Sequence, residues 1–309
     1  MVRCQSVAVA GITGLAALVT AVTVLTGCLA DTGADTAGPV PGRELTRAEE
    51  RRLEQAEHLL IQQCMARKGF EYHVWPQVDP DTDRAFRYRV VQDDIAWAHE
   101  HGYGEQLRRA FFRMKKHNER LAAQDTLTPA QHERYTTALL GSPSTPMLTV
   151  RLPSGGTVRS PNGGCTGTAR TQLYADAKAY YEADRVATDL ATAYVPKVMR
   201  DPRYTAALRA WSGCMRKETQ GAYADPDAAR ADVRKRAKGL SPSRAHELEV
   251  EVAVAEATCA HRTSLRSTLT GLDREYGAPW RKRYADEITT SNRLKLAALR
   301  RADDLAPGT

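Results

Sequence analysis

Gln63-Cys64-Met65-Ala66-Arg67-Lys68-Gly69 decides how this chain is read, because it returns as Gly213-Cys214-Met215-Arg216-Lys217, with Gly221 closing the second copy. Leu53, Ala56, Leu60 and Cys64 recur at helical spacing in the first region, and Tyr204, Leu208, Trp211 and Met215 do so in the second. Each cysteine therefore sits on or beside an apolar stripe near the end of a predicted helix. An aromatic follows each copy (Phe70 and Tyr72; Tyr223), then an Asp/Pro turn (Pro76 to Pro80; Asp225-Pro226), and each copy is followed by one later cysteine, Cys165 or Cys259. The echo speaks to architecture and not to chemistry.

Helix-start signals extend this reading along the chain. Thr46-Arg47-Ala48-Glu49 fits a capping box, in which the Thr hydroxyl and the Glu carboxylate satisfy backbone N–H groups reciprocally. Thr128-Pro129, Asp201-Pro202, Asp225-Pro226 and Ser241-Pro242 each place a capping side chain before a Pro whose missing N–H costs nothing in the first turn. Ile95 to His101 reads as a short helix stopped by Gly102-Tyr103-Gly104, and Leu107, Phe111, Met114 and Leu121 mark the next one. Asp79 to Arg89 reads as a polar connection. A long helix is predicted from Cys165 to Val195, broken by Pro196, and another carries Leu248, Val252, Ala255 and Cys259 and continues through Tyr276 to a break at Gly277 and Pro279. Trp280, Tyr284, Ile288 and Leu299 suggest a final helix. The one hairpin pairs Leu148–Leu152 with Thr157–Arg159 across Pro153-Ser154-Gly155-Gly156, and a lone hairpin must rest on helices to be stable. The expected fold is mainly α, a disulfide-stapled helical bundle or pair of bundles with one small β-hairpin.

The chain opens Met1-Val2-Arg3 and runs apolar from Val7 to Leu25, the form of a secretory signal. Its last residues, Leu25-Thr26-Gly27-Cys28, resemble a bacterial lipobox. That resemblance implies cleavage before Cys28, a diacylglycerol on its thiol, and a mature protein on the outer face of the cytoplasmic membrane. Residues 1–27 are thus read as a lipoprotein signal peptide and 28–44 as a flexible tether, since Leu29 to Arg43 is Ala, Gly, Thr, Asp and Pro with almost nothing large. Such a stretch reaches about 20 Å as a random coil. Residues 45–309 form the helical part, read as two related halves, 45–200 and 201–309.

Of the six cysteines, Cys4 falls in the signal and Cys28 takes the lipid, leaving Cys64, Cys165, Cys214 and Cys259 in an oxidising compartment. Two disulfides in any of three connectivities are open. The echo favours Cys64 with Cys165 and Cys214 with Cys259, one bridge in each half. The formal net charge of +7 suits a partner such as anionic lipid, an anionic cell-wall polymer or an envelope protein. No basic arm, zinc finger or RNP-type aromatic motif points to nucleic acid.

Leu25 to Cys28, Cys64-Met65 with Gly69-Phe70, Gly102-Tyr103-Gly104, Gly164-Cys165, Leu173-Tyr174, Trp211, Cys214-Met215 and Ala257 to Cys259 together form a pattern that covers nearly the whole mature chain. It resembles a group of actinobacterial (Streptomyces-type) secreted lipoproteins with paired Cys-Met helix motifs. The resemblance implies the anchor and the fold. That group carries no assigned activity, so it implies no mechanism.

Candidate chemistry is sparse. Gly163-Gly164-Cys165-Thr166-Gly167 matches the G-x-nucleophile-x-G elbow with Cys for Ser, but the hydrolase fold's alternating strands and helices are missing and a disulfide is the expected fate of Cys165. Asp79, Asp81 and Asp83 have calcium-loop spacing, yet Arg84 stands where the loop needs Gly and Val90 where it needs Glu. His99 and His101 lie two apart, on different faces of a helix. Tyr174, Tyr180, Tyr181, Tyr194 and Tyr204 cluster around one helix and read as packing rather than a recognition surface. The expectation is therefore no catalytic residue, no metal and no cofactor, with a binding or interaction role at the cell envelope. The rival expectation is an envelope hydrolase whose catalytic residues the sequence does not reveal.

Overall fold

Five helices of the computed structural model begin with Pro behind an Asp, Ser or Thr cap: α2 (Pro80–Phe86), α5 (Pro129–Leu140), α8 (Pro202–Thr219), α9 (Pro226–Arg236) and α10 (Pro242–Arg262). The structure describes residues 42–74, 77–87, 90–121 and 127–305; the signal, Cys28 and most of the tether lie outside these. Four of the five starts are those expected. The fifth corrects the reading of residues 79–89 as a polar connection: the Asp79 carboxylate accepts from the backbone N–H groups of Asp81 (3.1 Å) and Thr82 (2.9 Å) and opens a helix.

The remaining helices are α1 (Arg47–Arg67), α3 (Ile95–His101), α4 (Glu105–Leu121), α6 (Gly164–Tyr174), α7 (Ala177–Val198), α11 (Leu265–Arg283) and α12 (Ala285–Leu305). With strands β1 (Met147–Arg151) and β2 (Thr157–Pro161), the described residues make a mainly helical fold with one antiparallel hairpin. Val150 pairs with Val158, and the inward residues Leu148 and Val150 pack on Tyr181 and Val186 of α7, so a helix covers the hairpin's apolar face. No described helix is long and apolar enough to cross a membrane.

Two main cores form, each around one disulfide. Cys64 on α1 bonds Cys165 on α6 with Cα atoms 5.5 Å apart, and Cys214 on α8 bonds Cys259 on α10 at 5.7 Å, both within the span a disulfide tolerates. This is the pairing the echo favours. The first core gathers Leu53, Leu60 and Met65 of α1, Tyr135 of α5, Leu173 of α6, and Leu296 and Leu299 of α12. The second gathers Trp211 and Met215 of α8, Val233 of α9, Val252 of α10 and Leu272 of α11, with Tyr194 and Val198 from the end of α7. Both cores thus draw on the chain from either side of residue 200.

Four helix boundaries differ from expectation, each for a local reason. The helix opened by Cys165 does not run to Val195. It ends at Ala175, which has φ of +64°, and Asp176 caps a new helix by accepting from the Ala179 N–H at 2.8 Å. Tyr174 and Tyr180 then stack across the break at 3.5 Å. Pro196 sits inside α7 instead of breaking it, because only one N–H bond is lost two residues before the end. Similarly, α10 stops at Thr263-Ser264, where the Thr263 hydroxyl donates to the Cys259 carbonyl at 2.6 Å and Ser264 turns left-handed. Helix α11 then runs through Gly277 and Pro279. There the Arg281 guanidinium lies over Gly277, where a Cβ would meet it at 2.3 Å, and donates to the carbonyls of Asp273 and Arg274 at 3.4 and 3.1 Å.

The start of the folded part is also fixed. Arg43, near the end of the tether, grips both carboxylate oxygens of Glu49 at 2.6 and 2.8 Å, and the Asn292 amide donates to the Gly42 carbonyl at 2.9 Å.

Candidate functional site: a cationic cleft on a buried carboxylate floor

Helix α10 carries two buried faces. Besides the expected stripe, Ala245, Glu249, Ala253, Glu256 and Ala260 are turned inward, and the small residues let α3 approach closely at Ala98, Ala253 and Ala257. Glu249 and Glu256 stand seven residues apart on this second face. Sequence reasoning missed both. The available signal was the row of alanines in register with them, because a helix side rich in Ala is an approach surface even when Glu interrupts it.

Each carboxylate binds the turn at Gly102-Tyr103-Gly104. Glu249 accepts from the backbone N–H groups of Tyr103 (2.8 Å) and Glu105 (2.9 Å), so it supplies the anionic cap that α4 needs at its N-terminus. Gly102 has φ of +58°, and a Cβ there would lie 2.7 Å from the Glu249 Cγ, which excludes any side chain. Glu256, fully buried, accepts from the Gln92 N–H (2.6 Å), the Tyr103 hydroxyl (2.6 Å) and the Arg230 guanidinium (2.8 Å). Burial pushes both carboxyls above their ordinary range. The two backbone donors and Arg108 oppose this at Glu249, while Arg230, Tyr103 and Gln92 oppose it at Glu256. Burial and the neighbouring Glu256 also push the Tyr103 phenol far upward, so it stays a proton donor.

Above this floor lies a cleft of about 990 Å³, walled by α2, α3 and α4 on one side and by α9 and the first turns of α10 on the other. Cations dominate its lining. Arg84 pairs with Asp94 (2.7 Å), Arg87 with Asp83 (2.7 Å), Arg108 and Arg109 with Glu105 (3.0 Å each), and Arg230 with Glu256. Burial works against the Glu105 charge, but Arg109 and Arg108 hold its carboxyl below the usual value. Arg113, Arg234 and Lys238 also line the cleft and make no ion pair among the described residues. Three buried polar atoms of the lining have no hydrogen-bond partner: Arg84 Nε, Trp97 Nε1 and His246 Nδ1. Buried polar atoms are nearly always satisfied, so three orphans in one recess are unusual.

The residues singled out from sequence lie elsewhere or serve structure. Cys64, Cys165, Cys214 and Cys259 are all in bridges. The elbow-like turn is closer to its template than expected, since β2 runs to Pro161, two residues before the N-cap Gly163, but the Cys165 sulfur is fully buried in its bond to Cys64. A Cβ at Gly164 would meet the Leu139 carbonyl at 2.6 Å, so this turn is a backbone contact with the end of α5. Asp83 is enclosed by Arg47, Arg51 and Arg87. The His101 ring lies tilted against Trp97, with centroids 5.0 Å apart. Among the described residues no group of three or more His, Cys, Asp or Glu is placed to hold a metal ion. Tyr174, Tyr181, Tyr194 and Tyr204 are buried and Tyr180 is half-buried. Comparison with family models, with curated proteins and with solved structures finds no match to this chain.

Proposed function

We propose that this chain is a lipid-anchored extracytoplasmic protein that binds a ligand or partner at the cell envelope through the cleft between α4 and α9. The observation that carries the reading is a large recess with convergent polar groups, the usual form of a binding site. Two disulfides are consistent with an oxidising compartment. The anchor rests on Leu25 to Cys28, and the resemblance to actinobacterial secreted lipoproteins supports the same placement.

Cys28→Ala should release the protein from the membrane fraction or leave it as uncleaved precursor. Normal cleavage after residue 27 together with unchanged membrane retention would remove the anchor from the reading. Incubation with isolated envelope fractions should raise the melting temperature without releasing soluble fragments. Release of fragments would favour the rival reading, an envelope hydrolase. One observation favours that rival: Glu249 is a carboxyl raised by burial at the edge of a cleft, a setting typical of catalytic acids. Its engagement by two backbone N–H groups, with no second unpaired carboxylate in the lining, favours a capping role instead.

A further inference from the structure

We infer that the cleft is a polyanion site, built to hold a ligand with two or more phosphoryl or carboxylate groups across its two walls. The inference rests on the binding role proposed above and names the ligand's chemistry.

Arg113 projects from α4 on one wall, whereas Arg234 and Lys238 come from α9 and the turn after it on the other, so the cations without partners face the recess from both sides. The acids of the lining are already engaged. Glu105 is shared by two arginines, and Glu249 caps α4. Asp227 pairs with Arg230 at 3.3 Å. The uncompensated charge of the recess is therefore positive on both walls. Helix α9 ends in Arg234, Lys235 and Arg236, where cations also favour the negative end of the helix dipole, but only Arg234 of these lines the cleft.

The orphaned atoms are an independent observation. Trp97, only 8% exposed, has an indole N–H that can only donate, and the same is true of Arg84 Nε. His246 Nδ1 can donate in one tautomer. Buried donors without acceptors are costly, and a ligand rich in acceptors removes that cost on binding. An anionic oxygen does this best, because charge-assisted hydrogen bonds are the stronger class. A neutral glycan would satisfy the orphans but leave Arg113, Arg234 and Lys238 unanswered. The lining also includes Phe86, Leu107 and Val233, so a ligand that bears its charges on an organic backbone fits better than a bare ion.

Calorimetric titration of the full chain with tripolyphosphate, citrate and a neutral chitin tetramer tests this. Tripolyphosphate or citrate should bind, with an affinity that falls steeply as salt rises. The stronger of the two assigns phosphoryl or carboxylate chemistry. The triple variant Arg113→Ala/Arg234→Ala/Lys238→Ala changes only side chains without partners, so it should keep the parent melting temperature and lose binding at least tenfold. Trp97→Phe should weaken binding several-fold with the salt dependence unchanged. Anion binding that the triple variant leaves intact overturns the site. Salt-independent binding of the neutral tetramer, and of neither anion, overturns the ligand class but leaves the binding role standing. Absence of binding by all three probes to a folded chain overturns the inference, whereas the binding role itself falls if envelope fractions leave the melting temperature unchanged or are cut into soluble fragments.

Discussion

The two Cys-Met regions bury their motif alike and build around it differently. Cys64 and Cys214 are 7% and 8% exposed, while Met65, Met215 and both partner cysteines are almost wholly inaccessible. The partners, however, lie at opposite ends of their helices. Cys165 is in the first turn of α6, 101 residues after Cys64, and Cys259 is in the last turn of α10, 45 residues after Cys214. The first core joins helices from both ends of the chain, α1 and α12, whereas the second is drawn mostly from the neighbouring helices α8 to α11. A repeated motif therefore specifies a buried seat for one helix end and leaves open which element closes over it.

The strongest way to break the comparison is to remove each bridge. Loop entropy assigns about 4.7 kcal/mol to the longer loop and about 4.0 to the shorter, upper values within an observed range of about 2–5. Cys64→Ala/Cys165→Ala should thus lower the urea midpoint more than Cys214→Ala/Cys259→Ala. The reverse order would mean that the second core depends on its bridge for packing and not only for chain entropy.

A buried ion pair in the second region, Arg230 with Glu256, gives the next test. Glu256→Ala leaves the Arg230 guanidinium, the Tyr103 hydroxyl and the Gln92 N–H without their acceptor, and should cost about 3–5 kcal/mol in denaturant unfolding. Glu256→Gln keeps an acceptor and should cost less. A loss below about 1 kcal/mol for the Ala variant would mean that water reaches this site, as it does in exposed pairs.

The helix ends give a sharper contrast between the copies. Gly69, at φ of +78°, closes α1 with the Phe70 N–H on the Met65 carbonyl and the Gly69 N–H on the Ala66 carbonyl, both at 3.0 Å. In the second copy the left-handed residue is Gln220, at φ of +58°. Gly221 has another role: a Cβ there would lie 2.4 Å from the Tyr223 ring. Gly69→Ala should lose, and Gln220→Gly should gain, about 1 kcal/mol in thermal unfolding. Equal signs for the two would contradict the cap geometry.

The smallest expected effect is a pH slope. Because burial raises the folded Glu249 carboxyl above its unfolded value, protonation favours the fold. Its stabilising contribution is present below the unfolded value of about 4.3 and is lost as pH rises through the folded one. Glu249→Gln should flatten that part of the stability profile. An unchanged slope would assign it to other groups.

How much of this was legible in the sequence depends on the range of the interaction. Helix class, the Thr46 capping box and the Pro-led starts at Thr128, Asp201, Asp225 and Ser241 are local, so they read directly. Asp79-Pro80 carries the same signal, but Asp79, Asp81 and Asp83 at alternate positions also read as a polar loop. Gly277 and Pro279 suggested a break, but a guanidinium from the next turn occupies the space that Gly leaves. The cleft was not legible. Its cations come from α2 and α4 on one side and from α9, which follows α4 by more than a hundred residues, on the other, and its floor is two glutamates whose burial is set by a partner turn.

The longer bridge also bears on how the chain survives peptidases. Residues 65–164, which include the α2–α4 wall of the cleft, lie inside the covalent loop closed by Cys64 and Cys165. Residues 215–258, with the α9 wall, lie inside the other loop. A single cut in either segment leaves the two fragments tethered, whereas a cut between residues 166 and 213 divides the chain into separable pieces. Nicks around the recess are thus tolerated covalently, whereas residues 166–213, like the segments before Cys64 and after Cys259, are held by no bridge across a cut.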